Sequence, residues 1–322
     1  MRSLRRRLCQ LGVAGLCVLM TVAPARAQIA DALSTYDARN GLGYTSSVRE
    51  ALGAGLVTGF FSGGPFHEGE EFRARVSVHQ FRVFLRDQDK TFEAGSPQSL
   101  PYKKPPSLAA NLTIDYWTET TVEAPSLLGS PEAVLFENKT STGTNPPSFG
   151  TVLLPGGLDL DQLSANIPQL ELGWKGYEAT VRYASISSGS SEIGELDVWG
   201  LGLRADVTDF IDPRLPIHAD VLLTYQSFEY GGGVINGQIL TIGAQVGLRL
   251  GWSHVYTGVS YDTVESGLDY VRSDGIAVDV QETKEYPRAH LGIGMDIPYA
   301  QFVGEISYNS LVSVSFGLSL GL

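Results

Sequence analysis

The side chains best suited to chemistry are five histidines, His67, His79, His218, His254 and His290, and they are scattered, with no pair at the HExxH spacing of a helical metal site. Ser253 adjoins His254, and Asp262 follows one strand-length on, which supplies the residue types of a hydrolase triad. A triad is defined by geometry, and nothing in this spacing specifies one. Gly231-Gly232-Gly233 is followed by neither a lysine nor a helix start, so it reads as a flexible loop and not as a phosphate cradle. No catalytic role and no metal or cofactor is expected.

A second set of residues is more coherent. Arg182, Arg204, Asp206, Asp220, Arg249, Asp262, His290, Asp296 and Glu305 all fall on the polar phase of segments that alternate polar and apolar residues. Charges of both signs on one face of neighbouring strands either pack into an ionic interior that stiffens a narrow barrel or line and select within a wider pore. Those nine are the candidate lumen-lining residues.

The elements that must position them are strands. From Leu240, the residues Leu240, Ile242, Ala244, Val246, Leu248 and Leu250 occupy one face, while Thr241, Gly243, Gln245, Gly247 and Arg249 occupy the other. Val312, Val314, Phe316, Leu318, Leu320 and Leu322 alternate with serines and glycines in the same way. Similar runs cover 197 to 207, 217 to 228, 253 to 262, 288 to 297 and 300 to 309. Each has about the 9 to 11 residues that a tilted strand needs to cross a bilayer. Aromatics in the apolar phase, Trp174, Tyr183, Trp199, Tyr225, Trp252, Tyr261 and Tyr308, sit near strand ends, as interfacial girdles do. A sandwich core has no reason to place them there.

The amino terminus fits export. Arg2, Arg5, Arg6 and Arg7 precede an apolar run from Leu8 to Val22, and Ala25-Arg26-Ala27 follows, so residues 1 to 27 are expected to be a signal peptide cut before Gln28. Both cysteines, Cys9 and Cys17, lie inside it. Five of the 23 basic residues and none of the 35 acidic ones fall there, leaving 18 against 35 and a formal charge of −17 on the mature chain. So acidic a surface is a poor partner for nucleic acid.

The expected fold is therefore all-β, a transmembrane antiparallel up-and-down barrel over 55 to 322. Nine strands after Ile167, with candidates at Gly55 to Ser62, Phe72 to Leu85, Leu108 to Trp117 and Val134 to Glu137, suggest 14 strands, with 12 as the alternative. The phase slips between Val78 and Phe81, which suggests a bulge or tight turn. Proline-bearing segments at 97 to 106 and 143 to 157 read as loops. With short turns assigned to the periplasm, 185 to 196, 229 to 237 and 263 to 287 become external loops. Segment 28 to 54 carries Ile29, Leu33, Tyr36, Leu42, Tyr44, Val48 and Leu52 among polar residues. It is too apolar for a free leader and too irregular for a lipid-facing strand, so it is expected to plug the lumen through residues such as Arg39, Arg49 and Glu50. An amino-terminal strand or a periplasmic tail is the alternative.

Five ordered patches also carry a resemblance: Leu154-Pro155-Gly156-Gly157, Ile167 to Gly173, Val181-Arg182-Tyr183, Val198 to Leu203 and Leu215-Pro216-Ile217. They resemble an uncharacterised family of bacterial outer-membrane β-barrel proteins over roughly residues 150 to 262, with a weaker match at Tyr44 to Phe61. That family is similar in layout to the long-chain fatty-acid transporter barrels, which implies a passive channel or transporter for small or hydrophobic solutes and an amino-terminal hatch. No motif matches those transporters' ligand contacts, so no site is carried over. The expected partners are outer-membrane lipids, the outer-membrane assembly machinery during insertion, and a hydrophobic small-molecule ligand. The last residue, Leu322, departs from the aromatic that usually ends such a chain, with Phe316 six positions earlier. A structural or secretion-associated scaffold is the second reading.

Overall fold

The computed structural model describes residues 25–61, 72–95, 121–136, 152–187, 195–208 and 217–321. Two helices come first, α1 (Ala25–Leu33) and α2 (Ala38–Val57). Strand β1 (Arg73–Phe84) follows, then four short strands, β2 (Thr91–Ala94), β3 (Val122–Pro125), β4 (Val134–Phe136) and β5 (Val152–Leu154). The long strands are β6 (Gln162–Trp174), β7 (Tyr177–Ser187), β8 (Glu195–Asp206), β9 (Ile217–Tyr230), β10 (Ile235–Leu250), β11 (Ser253–Val271), β12 (Ala277–Ile297), β13 (Ala300–Tyr308) and β14 (Val312–Gly321).

β6 to β14 run as an antiparallel meander, and β1 closes the ring by pairing with β14 on one side and β6 on the other. Closure pairs the wall's backbone groups without leaving a lipid-exposed edge, which a sheet in hydrocarbon requires. Outward side chains such as Val76, Leu172, Leu203, Ile242, Val259, Ile293, Phe302 and Phe316 are exposed around the ring. Phe72, Trp174, Tyr177, Trp252 and Tyr299 band the short-turn end, and Tyr183, Trp199, Tyr225, Tyr261 and Tyr308 form a second band. An apolar belt between two aromatic girdles is the exterior of a transmembrane barrel. No helix among the described residues is long and apolar enough to cross a membrane.

The nine strands expected after Ile167 are present, with β6 starting five residues before it. The total of 14, or 12, is corrected to a closed ring of ten among the described residues. Gly55 to Phe61 is the end of α2 and a turn, not a strand, because its glycines serve close helix packing. Val134–Phe136 pairs only with β5, outside the ring, and Leu108 to Trp117 lies outside the described residues, as do 1–24, 97–106 and most of 143–157. Phe72 to Leu85 holds one unbroken strand, with no bulge between Val78 and Phe81: its register against β14 and β6 is continuous. The alternation never slips. Phe81 and Val83 are buried inward and Gln80 and Arg82 face outward, because the ring's inner face is itself apolar at that height.

Two expected external loops also change. The turn between β9 and β10 is only 231–234, and 263 to 287 is mostly a hairpin whose turn is 272–276. In this upper hairpin Val264, Leu268 and Tyr270 face inward and are buried, while Glu265, Asp269, Asp279 and Glu285 face outward. The polarity of the two faces is reversed relative to the belt, so a search for lipid-facing alternation misses it. The wall is uneven at this end. β12 from Ala277 to Arg288 rises beyond its pairing with β13, which stops at Ala289 opposite Tyr308. β6 and β7 share only six pairs, Gln169 with Arg182 through Trp174 with Tyr177, although β6 runs on to Gln162 paired with β1 and β7 runs on to Ser187 paired with β8.

Candidate functional site

The lumen is the candidate site, and α2 packs against its wall in the half nearer the long hairpins. Asp37 caps the helix, its carboxylate accepting from the Asn40 amide at 2.9 Å. The sequence ARNGLGYTSSVREALGAGLV is rich in small residues, and nearly every residue from Tyr44 to Val57 is buried. Gly55 shows why: a side chain there would run into Phe81 and Val83 of β1. Gly59, just past the helix, has φ +66 and its added Cβ would lie 2.6 Å from Ser315 Oγ. Glycine at both positions sets how close the segment can come to the wall.

Polar bonds tie the same segment to inward-facing side chains. Arg49 Nη1 donates to Glu282 at 2.6 Å and to Ser266 Oγ at 3.0 Å. Lys284 Nζ meets Glu50 at 2.8 Å. Thr58 Oγ1 lies 3.0 Å from Ser307 Oγ and 2.8 Å from Ser313 Oγ, and the Gly59 amide donates to Glu305 at 3.0 Å. Arg39 stands beside Gly95 instead and is exposed. At the start of the helix, the Tyr36 and Tyr44 rings lie 5.0 Å apart with their planes tilted by 32°. Burial, and the neighbouring Tyr44, push the Tyr36 phenol well up, and burial pushes Tyr44 up to about 12. Both stay neutral at any physiological pH.

The half of the lumen nearer the short turns is ionic. Arg204 Nη2 meets Glu178 at 2.6 Å and Arg288 Nε meets Asp262 at 3.0 Å, with all four side chains buried. Arg75 bridges Gln301 at 2.7 Å and lies 3.8 Å from Glu171, which also accepts from Ser77 and Gln169. Arg182 donates to Gln169 at 2.8 Å and to the Leu56 carbonyl at 2.8 Å, and its guanidinium lies 4.0 Å from the centre of the Phe60 ring. Tyr256 donates to Glu305 at 3.0 Å, and Gln245 to Asp220 at 3.0 Å. Fully surrounded charges of this kind are stable only when paired and hydrogen-bonded.

Of the nine candidate residues, Arg182, Arg204, Asp220, Asp262, His290 and Glu305 are buried in this interior. Asp296 is half-buried near the short-turn mouth, where it accepts from Gln301 at 2.7 Å and sits 3.2 Å from His254 Nδ1. Asp206 is half-buried at a strand end, accepting from the Thr208 amide. Arg249 is exposed at the mouth. There it joins Arg73, Arg75, Asp296 and Gln301 around a vestibule of about 580 Å³. The residue types of a triad are not assembled: His254 turns to Asp296, Asp262 to Arg288, and Ser253 Oγ donates to the Leu250 carbonyl. Sequence reasoning missed Glu171, Glu178, Arg75, Arg288 and Tyr256. Glu178, Arg288 and Tyr256 share the inward parity of an identified residue on the same strand, Arg182, His290 and Asp262, so that parity could have found them; β6 and β1, which carry Glu171 and Arg75, held no identified residue to set the phase.

Beneath α2 is a cavity of about 20 Å³, lined among others by Phe60, Phe61, Leu222, Thr224, Thr241, Gln245 and His290. The hydroxyls of Thr224 and Thr241 have no hydrogen-bond partner, nor does either side-chain polar atom of Gln226, the next inward residue of β9. All three residues are buried.

Comparison with solved structures finds β-barrels at low similarity. The translocator domain of autotransporter NalP from Neisseria meningitidis is 13% identical, with a TM-score of 0.32, and the match covers 87% of this chain and 98% of that one. The outer membrane protease OmpT from Escherichia coli is 8% identical, with a TM-score of 0.30 and coverages of 81% and 98%. The transport unit of the autotransporter AIDA-I from Escherichia coli is 11% identical, with a TM-score of 0.31 and coverages of 86% and 97%. No functionally curated protein matches the chain. A family model does, over residues 5–322, and it spans the girdled barrel and the helix-bearing segment alike: the chain belongs to the family of unknown function DUF6588.

Proposed function

We propose that this chain is an outer-membrane barrel that passes small or hydrophobic solutes passively, and that α2 closes it at rest. The observation that carries the reading is that α2, packed against the lumenal wall, takes no part in the strand ladder and is held there by side-chain bonds, Arg49 to Glu282, Glu50 to Lys284 and Thr58 to Ser307 and Ser313. It can therefore shift without breaking the wall. The second reading, a scaffold barrel without transport, is favoured by the buried ion pairs, which stiffen the half nearer the short turns.

A tether separates the two. An ideal Cβ at Gly53 lies 4.0 Å from the Cβ of Val264, within the ~3.5 to 4.5 Å span of a disulfide. Residues 28 to 322 contain no cysteine, so Gly53→Cys with Val264→Cys introduces one defined pair. Reconstituted in planar bilayers, the reduced protein is expected to show opening events and the oxidised protein none, with the events returning on reduction. Silence in both states, with the barrel shown to be folded by its gel shift, would establish the scaffold reading instead.

A further inference from the structure

The direction in which the chain threads the barrel has a consequence for where its amino terminus lies. At the end carrying the long hairpins, α1 packs against the tips of the wall. A Cβ at Gly231, in the β9–β10 turn, would lie 3.1 Å from Ile29 Cδ1. The Ser273 amide, in the β11–β12 turn, donates to the Ser34 carbonyl at 2.9 Å. Tyr270 donates to the carbonyls of Tyr36 at 3.2 Å and Asp37 at 3.0 Å. From there the chain descends. Arg49 reaches Ser266, Gly53 meets Val264, Thr58 bonds Ser307 and Ser313, and Gly59 reaches Glu305. Phe60 lies against Arg182. The described chain resumes at Phe72 at the opposite end, where Arg73 stands opposite Gly173, beside the tight β6–β7 turn.

The segment therefore enters from the long-hairpin mouth and β1 starts from the short-turn mouth. With short turns in the periplasm, as the outer-membrane reading above requires, the long-hairpin mouth faces outside. A signal peptide is removed on the periplasmic side, so the end it exposes starts on the wrong side of the membrane for this position. β1, β6, β10, β11, β12 and β14 all flank α2, which places the segment inside the ring.

We infer that the amino-terminal end of the mature chain is displayed on the cell surface, and that it crosses the outer membrane through the lumen of its own barrel. The inference rests on the outer-membrane orientation and on the expected cleavage before Gln28. Passage occurs before or as β1 meets β14, since Gly55 and Gly59 leave no clearance once the ring is closed. The small residues of α2 suit such passage, which a folded domain ahead of it could not make.

The test uses full-length chain in intact cells. Single cysteines are placed by Asp31→Cys on the exposed side of α1, Ser273→Cys in the β11–β12 turn and Pro298→Cys in the β12–β13 turn, all three at exposed positions. In parallel, a short epitope is inserted between Ala27 and Gln28. An impermeant maleimide should label the Asp31 and Ser273 variants with no gain on permeabilising the outer membrane. It should label the Pro298 variant only after permeabilisation, and antibody should bind the epitope on intact cells. Labelling at position 273 in intact cells, with position 31 and the epitope reached only after permeabilisation, overturns surface display and leaves the orientation standing. The reverse pattern, position 298 labelled in intact cells and position 273 not, overturns both.

Discussion

In the lumen near the short turns, Arg204 and Glu178 form a buried pair, and the two charges stabilise the barrel only together. Removing one partner from such a pair typically costs about 3 to 5 kcal/mol, whereas replacing both with apolar residues of similar volume is often near neutral. Glu178→Leu alone is therefore expected to destabilise the folded barrel by about that much, read as a lower midpoint of heat- or urea-induced loss of the compact gel band. The double variant Glu178→Leu with Arg204→Leu should recover most of the loss. A single variant as stable as the parent would mean the pair is hydrated and its inward assignment wrong. Residues of this kind were half legible in the sequence. Parity told Arg182, Arg204 and Asp262 which way to face, because a strand allows only two directions. It did not reveal whom they meet. Arg288 finds Asp262 across a ladder whose register depends on a hairpin that reads as a loop in the sequence.

Among the elements, β10 offers the cleanest separation of faces. Val246 is 46% exposed on the belt, and Gly247 is its inward neighbour. Arginine at Val246 should cost on the order of 2 to 4 kcal/mol for a lipid-facing charge near mid-membrane, while arginine at Gly247 should instead crowd the ionic interior beside His218 and Tyr256. The two variants should differ in the folded fraction recovered from detergent; equal loss at both would argue against this phase. The same strand explains what the sequence concealed. Alternation marks a strand only while one side meets lipid and the other meets polar atoms. Above the girdle of Tyr225 and Tyr261, Phe228, Ile235, Ile239, Val264 and Leu268 all turn inward onto α2, and the pattern inverts without breaking. The apparent slip at Val78 to Phe81 has the same cause. A helix in the lumen cannot be read from the strands, yet it decides which of their residues are apolar.

For the molecule as a whole, the strand count was the part the sequence could not settle. An even total follows from closure, but whether Val134 or Leu153 belongs to the ring depends on β1 pairing past them with β6, 78 to 100 residues on, which no local periodicity reports. The ring that results is not uniform. On one side β7 to β12 stay paired well above the membrane, and on the other β6 leaves β7 after six pairs, at Pro168, which has no amide hydrogen to offer. Local stability in a folded protein follows such differences, from near zero where ladders are unmade to the full unfolding free energy where they are complete. In deuterium, the amides of Tyr183 to Ile186 that point towards β6 should exchange far sooner than those of Ala179 to Val181, and Pro168→Ala should slow them if proline alone interrupts the ladder. Uniform protection along β7 would show the seam to be closed in solution. If the fast exchange is found, the barrel carries a hinge line in its wall, and mechanical work done on the amino-terminal segment would part the cylinder there before anywhere else.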